Sequence, residues 1–119
     1  MNRRRVGTLY ERAAGVYLLK QGYEILEFNY RCRAGEIDII AKENGYLVFV
    51  EVKFRRGTGC GDPLEAVDKY KQRTISRVAM HYCQTHALTG HTSCRFDVVA
   101  VRGEEMQVVK NAFEYCGYR

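Results

Sequence analysis

One dipeptide constrains this chain more than any other feature: Asn44-Gly45, set between two runs rich in apolar and β-branched residues. Asn-Gly supplies the two positive-φ positions of a type I′ loop, whose twist matches that of antiparallel strands. Glu36 to Ala41 and Tyr46 to Phe54 are therefore expected as a hairpin. A two-residue loop also fixes the register. Glu43 pairs with Tyr46, and counting back Ile40 faces Phe49, Asp38 faces Glu51 and Glu36 faces Lys53. Side chains alternate along a strand, so these last three pairs share one face. The other face takes Ile37, Ile39, Ala41, Val48, Val50 and Val52, a core surface. A slip of one residue would bury the carboxylates and expose the core set, which pins the register.

That register has an electrostatic consequence. Residues directly opposite have Cβ atoms about 4.5–5.5 Å apart, and like charges so placed destabilise a sheet. Either one of Asp38 and Glu51 keeps a proton, or a cation lies between them, or both splay into water. Two carboxylates sharing a hard divalent ion, with waters and phosphate completing its octahedron, is the Mg²⁺ pattern. Lys53, two residues beyond Glu51, reaches the same space. The competing reading is a solvated strand face of mixed charge, in which Glu36 and Lys53 form a cross-strand ion pair.

Around the hairpin the chain reads as α-β-β-β-α-β, an α/β arrangement with a central mixed sheet flanked by helices. From Thr8 to Gln21, Leu9, Ala13, Val16 and Leu19 recur at helical spacing, and Gly22 suits the stop. Tyr23 to Arg33 is a strand rich in aromatic residues. Arg55 to Pro63, with three glycines and two arginines, is a loop. Leu64, Val67, Lys71, Ile75, Val78 and Tyr82 trace one face of a long second helix. Arg95 to Arg102 alternates as a fourth strand, and Gln107 to Val109 is a short fifth.

The length of 119 residues suits one domain over 1–119. No apolar run is long enough to span a bilayer. No long apolar segment follows Met1-Asn2-Arg3-Arg4-Arg5, which argues against a secretory signal, so the expectation is a cytoplasmic protein without a membrane partner. Nineteen Lys and Arg against 14 Asp and Glu give a net charge of +5, which favours a polyanion partner where the charge surrounds a site. The five cysteines lack metal or redox spacing and read as reduced thiols. His81, His86 and His91 do not share a helical face, which argues against a histidine metal site.

Gly35-Glu36-Ile37-Asp38-Ile39-Ile40, followed by Val48-Phe49-Val50-Glu51-Val52-Lys53, resembles the core of the PD-(D/E)XK nuclease superfamily. The fuller likeness is to the bacterial YraN family of uncharacterised proteins, itself similar to archaeal Holliday-junction resolvases. It takes in Gly7, Glu11, Ala14, Leu18, Gly22-Tyr23, Asn29 and Arg31 before the core, and Lys71, Arg95 to Val99 and Asn111-Ala112-Phe113 after it. The superfamily's eponymous proline is Ile37 here. The resemblance implies a restriction-endonuclease-like fold and an endonuclease that hydrolyses DNA phosphodiesters with Mg²⁺ or Mn²⁺, with branched or single-stranded substrates favoured. It implies that Asp38 and Glu51 bind the metal, with the Val52 carbonyl and Glu11 as further ligands. Lys53 then orients or deprotonates the attacking water, and Glu11 completes the catalytic set.

Other residues carry two readings each. Glu11 lies beside an apolar helix face, where metal contact competes with a salt bridge or helix-dipole stabilisation. Lys71 interrupts the stripe of the second helix, either as a snorkelling side chain or as a phosphate contact. Arg33, Arg55 and Arg56 flank the site as phosphate contacts or as ordinary surface charge. Asp97 is expected in a structural ion pair or hydrogen bond. The tyrosines stack on bases or pack. Against the nuclease stands a catalytically silent nucleic-acid-binding module of the same fold, within a larger DNA-processing complex. DNA is favoured over RNA as the partner, and cutting both strands of a junction favours a symmetric homodimer.

Overall fold

The computed structural model describes residues 3–54, 67–88, 90 and 92–117, with side chains described from residue 7 onward. Its elements are α1 (Arg3–Lys20), β1 (Glu24–Cys32), β2 (Gly35–Glu43), β3 (Tyr46–Phe54), α2 (Lys69–Thr85), β4 (Cys94–Arg102) and β5 (Glu105–Phe113). The five strands form one mixed sheet in chain order. All neighbours are antiparallel except β3 and β4, which the α2 crossover leaves parallel. This α-β-β-β-α-β-β order is consistent with a restriction-endonuclease-like core.

The hairpin forms as its sequence dictates. Asn44 and Gly45 have φ of 51° and 83°, the two positive values a type I′ loop requires. Pairing runs from Glu43↔Tyr46 through Ile40↔Phe49 to Ile39↔Val50. The expected pairs Asp38–Glu51 and Glu36–Lys53 lie beyond that run. Glu36 instead pairs with Arg31 of β1, at 2.6 Å from Nε to Oε2.

Both faces of the sheet are covered, as the expected sheet flanked by helices requires, and this leaves no room for the competing reading of a fully solvated strand face. Ala14 and Leu18 of α1 pack with Ile39, Ala41, Val48, Val50, Val52, Val99 and Val101. Ile75, Val78, Ala79 and Tyr82 of α2 pack with Ile40, Leu47, Phe49, Phe96 and Val98 on the other side. Ile37 belongs to the α2 side although Ile39 belongs to the α1 side. The facing of β2 therefore inverts around Asp38. β1 does the same at the same level: Phe28 packs toward α1 and Tyr30 toward α2, with Asn29 between them at φ 56°.

Three further expectations change. The stripe Leu9, Val16 and Leu19 faces outward, each more than half exposed, because α1 seats its small residues Ala14 and Gly15 against the sheet instead. A Cβ on Gly15 would lie 2.7 Å from Cζ of Phe28, so a larger residue there would require the Phe28 ring to move. The second helix starts at Lys69, because the Asp68 carboxylate accepts the Lys71 N–H and caps it there. Val67 is buried ahead of the helix, and Leu64 lies outside the described residues. The fifth strand is longer than Gln107 to Val109, since as an edge strand it alternates weakly. The α1 stop is as expected: Gly22, at φ 97°, donates to Leu19 O while Tyr23 N donates to Leu18 O, a Schellman ending.

Candidate active site

The node of the site is the place where β2 and β3 cease to pair. Past Ile39↔Val50 the Val52 N–H meets no strand carbonyl from β2; the Asp38 carboxylate takes it instead, at 2.8 Å from N to Oδ2. One Asp38 oxygen is thereby fixed to the backbone of β3, between Glu51 and Lys53. Such a bond holds a carboxylate in place without using a second side chain.

Two more acids converge on Asp38 from opposite sides. Glu11 comes from α1 and shares a hydrogen bond with Asp38. Glu51 comes from β3, is 6 % exposed, and also shares a hydrogen bond with Asp38. The charge of Asp38 beside each of these two acids favours their protonated forms. Burial, then the charge of Asp38, pushes Glu51 up to about 8; Lys71 and Lys53 pull the other way. Burial, Asp38 and Glu36 push Glu11 up to about 7, opposed by a hydrogen bond from Asn29. At neutral pH the centre therefore stores protons that any cation binding there must displace.

The cations are arranged around Glu51. Lys71 of α2 stands 3.7 Å from Glu51 Oε2. The lysine that interrupts the helix stripe thus reaches the acid. Lys53 is half-buried and, among the described residues, enters no salt bridge; its charge acts on Glu51. Arg33 is exposed at the β1–β2 turn. Arg55 and Arg56 lie outside the described residues.

Of the residues singled out in the sequence, Glu11, Asp38, Glu51, Val52, Lys53 and Lys71 meet at one place. Asn29 was missed as a part of it. The signal was an asparagine between Phe28 and Tyr30 in mid-strand, since Asn tolerates positive φ better than its neighbours. Asp97 is structural, as expected. Fully buried, it accepts from Tyr23 Oη at 2.5 Å, from Arg95 Nε and a terminal guanidinium nitrogen at 2.9 and 2.8 Å, and from Asn111 N at 2.9 Å. Arg95 also bridges to Glu43 at 2.8 Å, tying β4 to the hairpin end.

The donor set fits a hard divalent ion. All three side chains offer oxygen, and Mg²⁺ commonly takes only one or two carboxylates, its other positions going to water and phosphate. Among the described residues no three His, Cys, Asp or Glu side chains close around a single ion-sized point. The acids instead form a row, Glu11–Asp38–Glu51, which suits the sparse carboxylate ligation of Mg²⁺ better than an all-protein cage. No helix among the described residues is long and apolar enough to cross a membrane.

The profile of the uncharacterised protein family UPF0102 matches residues 10–101. A UPF0102 protein of Lachnoclostridium phytofermentans is 51% identical over 117 residues, covering 98% of this chain and 99% of its own. Similar proteins from Syntrophus aciditrophicus (49% identical, covering 92% of this chain and 89% of its own) and Alkalilimnicola ehrlichii (44%, covering 95% and 97%) carry the same description.

Proposed function

The chain belongs to the uncharacterised protein family UPF0102, and we propose that it is a divalent-metal-dependent nuclease hydrolysing DNA phosphodiesters. One observation carries this reading. A half-buried aspartate, bonded to the backbone of β3, lies between a buried second acid from β3 and a third from α1, beside a lysine outside any described salt bridge.

Asp38 and Glu51 hold the cation, Mg²⁺ or Mn²⁺, with Glu11 and the Val52 carbonyl completing the protein's share. The cation supplies Lewis acidity, drawing charge from a phosphoryl oxygen and lowering the pKa of nearby water. Asp38 arrives preoriented by the Val52 N–H, so little ordering entropy remains to be spent. Lys53 places its positive charge next to Glu51, where its ammonium would orient the attacking water and offset negative charge developing on the phosphate. Lys71, 3.7 Å from Glu51, balances the charge of that acid and would be within reach of a phosphate bound at the site. Branched or single-stranded DNA is the favoured substrate class, with Arg33, Arg55 and Arg56 as further phosphate contacts.

A second reading, the catalytically silent binding module, draws support from the raised pKa of Glu51, because a neutral carboxyl is a poor metal ligand. A cleavage screen separates the two. Linear, single-stranded, flapped and four-way-junction DNA are offered with Mg²⁺ and with Mn²⁺. The nuclease reading predicts metal-dependent cutting, lost in folded Asp38→Ala, Glu51→Ala and Lys53→Ala proteins. Cutting retained in all three would end it, and salt-sensitive binding without turnover would favour the module.

A further inference from the structure

α2 is a helix of 17 residues with four Lys and Arg and no Asp or Glu. At 100° per residue, Lys69, Arg73 and Arg77 fall within an arc of about 80° on one side. All three are exposed, whereas Ile75, Val78, Ala79 and Tyr82 are buried on the other side and Ser76 is buried at the edge of the arc. Lys71, pointing the other way, is the one cation of the helix that meets Glu51.

This arrangement is unfavourable for the helix alone. Like charges at i, i+4 destabilise, and Lys69–Arg73 and Arg73–Arg77 are two such pairs in series. Lys69 and Lys71 also sit in the first turn, where the helix dipole opposes positive charge. Among the described residues no acid forms a salt bridge with Lys69, Arg73 or Arg77. A face that gathers repelling cations is one that an external polyanion stabilises, through phosphate contact and counterion release.

Two neighbours indicate which polyanion. Tyr70, the next residue along, is 73% exposed and offers an aromatic face on which a base can stack. The β1–β2 turn abuts the same helix, since a Cβ on Gly35 would lie 2.8 Å from Cγ2 of Thr74. Arg33, two residues from Gly35 in the same turn, is exposed. Through Lys71 the same helix reaches the carboxylate row.

We infer that the outward face of α2, built on Lys69, Tyr70, Arg73 and Arg77, is the surface that binds the nucleic-acid backbone and leads it to the site. The choice of nucleic acid over an acidic protein rests in part on the nuclease reading above. The face makes phosphate contacts, which position a substrate without reading its sequence. Lys69, Arg73 and Arg77 supply charge, and Tyr70 favours strands with accessible bases.

The test is binding of fluorescent 30-base-pair duplex and 30-nucleotide single-stranded DNA, in chelator, across a salt series. A Glu51→Gln background removes cleavage as a variable. The triple variant Lys69→Ala, Arg73→Ala, Arg77→Ala is compared with Lys20→Ala, Lys42→Ala, Arg102→Ala, which removes the same charge from exposed positions outside α2. The α2 triple is expected to weaken duplex binding about 30-fold or more at 0.1 M salt, and to reduce the log–log salt slope by about 2 to 3. The other triple should change affinity by less than about threefold. The charge-conserving pair Arg73→Lys, Arg77→Lys should keep the slope, and Tyr70→Ala should weaken single-stranded more than duplex binding. Melting temperatures of the α2 triple should be equal to or above the parent's, since repulsion is relieved.

Equal losses in the two triples would overturn the inference, as would an unchanged α2 triple. A loss confined to polyglutamate or anionic vesicles would overturn it in favour of another partner. Binding that behaves as expected in a wild-type protein that cuts nothing contradicts the nuclease reading and leaves this face standing.

Discussion

At neutral pH a carboxyl in the position of Glu51 keeps its proton, because burial and Asp38 together outweigh Lys71 and Lys53. Stability follows with a definite sign. An acid raised from 4.5 to about 8 is protonated in both states below about pH 4.5. Between those values the unfolded chain releases the proton and the folded one retains it, so stability falls as pH rises, and levels off above pH 8. Denaturant midpoints from pH 4.5 to 9 should therefore show wild type losing ground to Glu51→Gln, by up to about 1.4 kcal/mol per pH unit. A constant difference between the two would refute the buried, proton-holding Glu51. Mg²⁺ or Mn²⁺ binding must release that proton, so affinity should climb through pH 7 to 8 and calorimetry should register proton release. Asn29 makes a separable prediction. Asn29→Gly accepts φ 56° yet loses the amide that lowers Glu11, so its fold should persist while the Glu11 pKa, followed by NMR, moves up. Asn29→Val keeps neither, and should cost about 1–3 kcal/mol on top.

Elements bring these residues together, and their sequences reveal them unequally. The β2–β3 hairpin was legible because Asn44-Gly45 fixes both turn and register locally. Its departure from register at Asp38 was not, since that depends on Asn29 in β1 and on Val52 N–H seeking an acceptor. The face of α1 was misread for a physical reason. Leu9, Val16 and Leu19 lie on one side, but close packing on Phe28 and the sheet selects the side bearing Ala14, Gly15 and Leu18. Backbone proximity outweighed side-chain hydrophobicity there. The contact of α2 with the β1–β2 turn is equally tight. Gly35, at φ 150°, faces Thr74, so Gly35→Ala adds both backbone strain and a 2.8 Å clash. It should lower stability by about 1–3 kcal/mol in chemical denaturation. Thr74→Ser, which removes the opposing methyl, should restore part of that loss; no recovery in the double variant would place the cost elsewhere.

At the scale of the molecule, the site exists only because both helices are docked. α1 delivers Glu11 from one face of the sheet and α2 delivers Lys71 from the other, with Asp38 and Glu51 at the gap between β2 and β3. A sequence shows the strand residues as a motif because they are close along the chain. It shows Glu11 and Lys71 only through likeness to relatives, since their approach is a matter of tertiary packing. The same docking turns three cations of α2 outward, so the net charge of +5 acquires a direction that composition does not reveal. The central claim is that the Glu11–Asp38–Glu51 row and Lys53 form a metal-dependent nuclease centre. Its most direct test is single-turnover cleavage of a DNA substrate that the protein is shown to bind, with Mn²⁺ or chelator, in wild type and folded Glu51→Gln. The account predicts cleavage with Mn²⁺ alone, falling at least about 100-fold in the variant. Equal cleavage by both proteins, or none by wild type on a bound substrate, would contradict it.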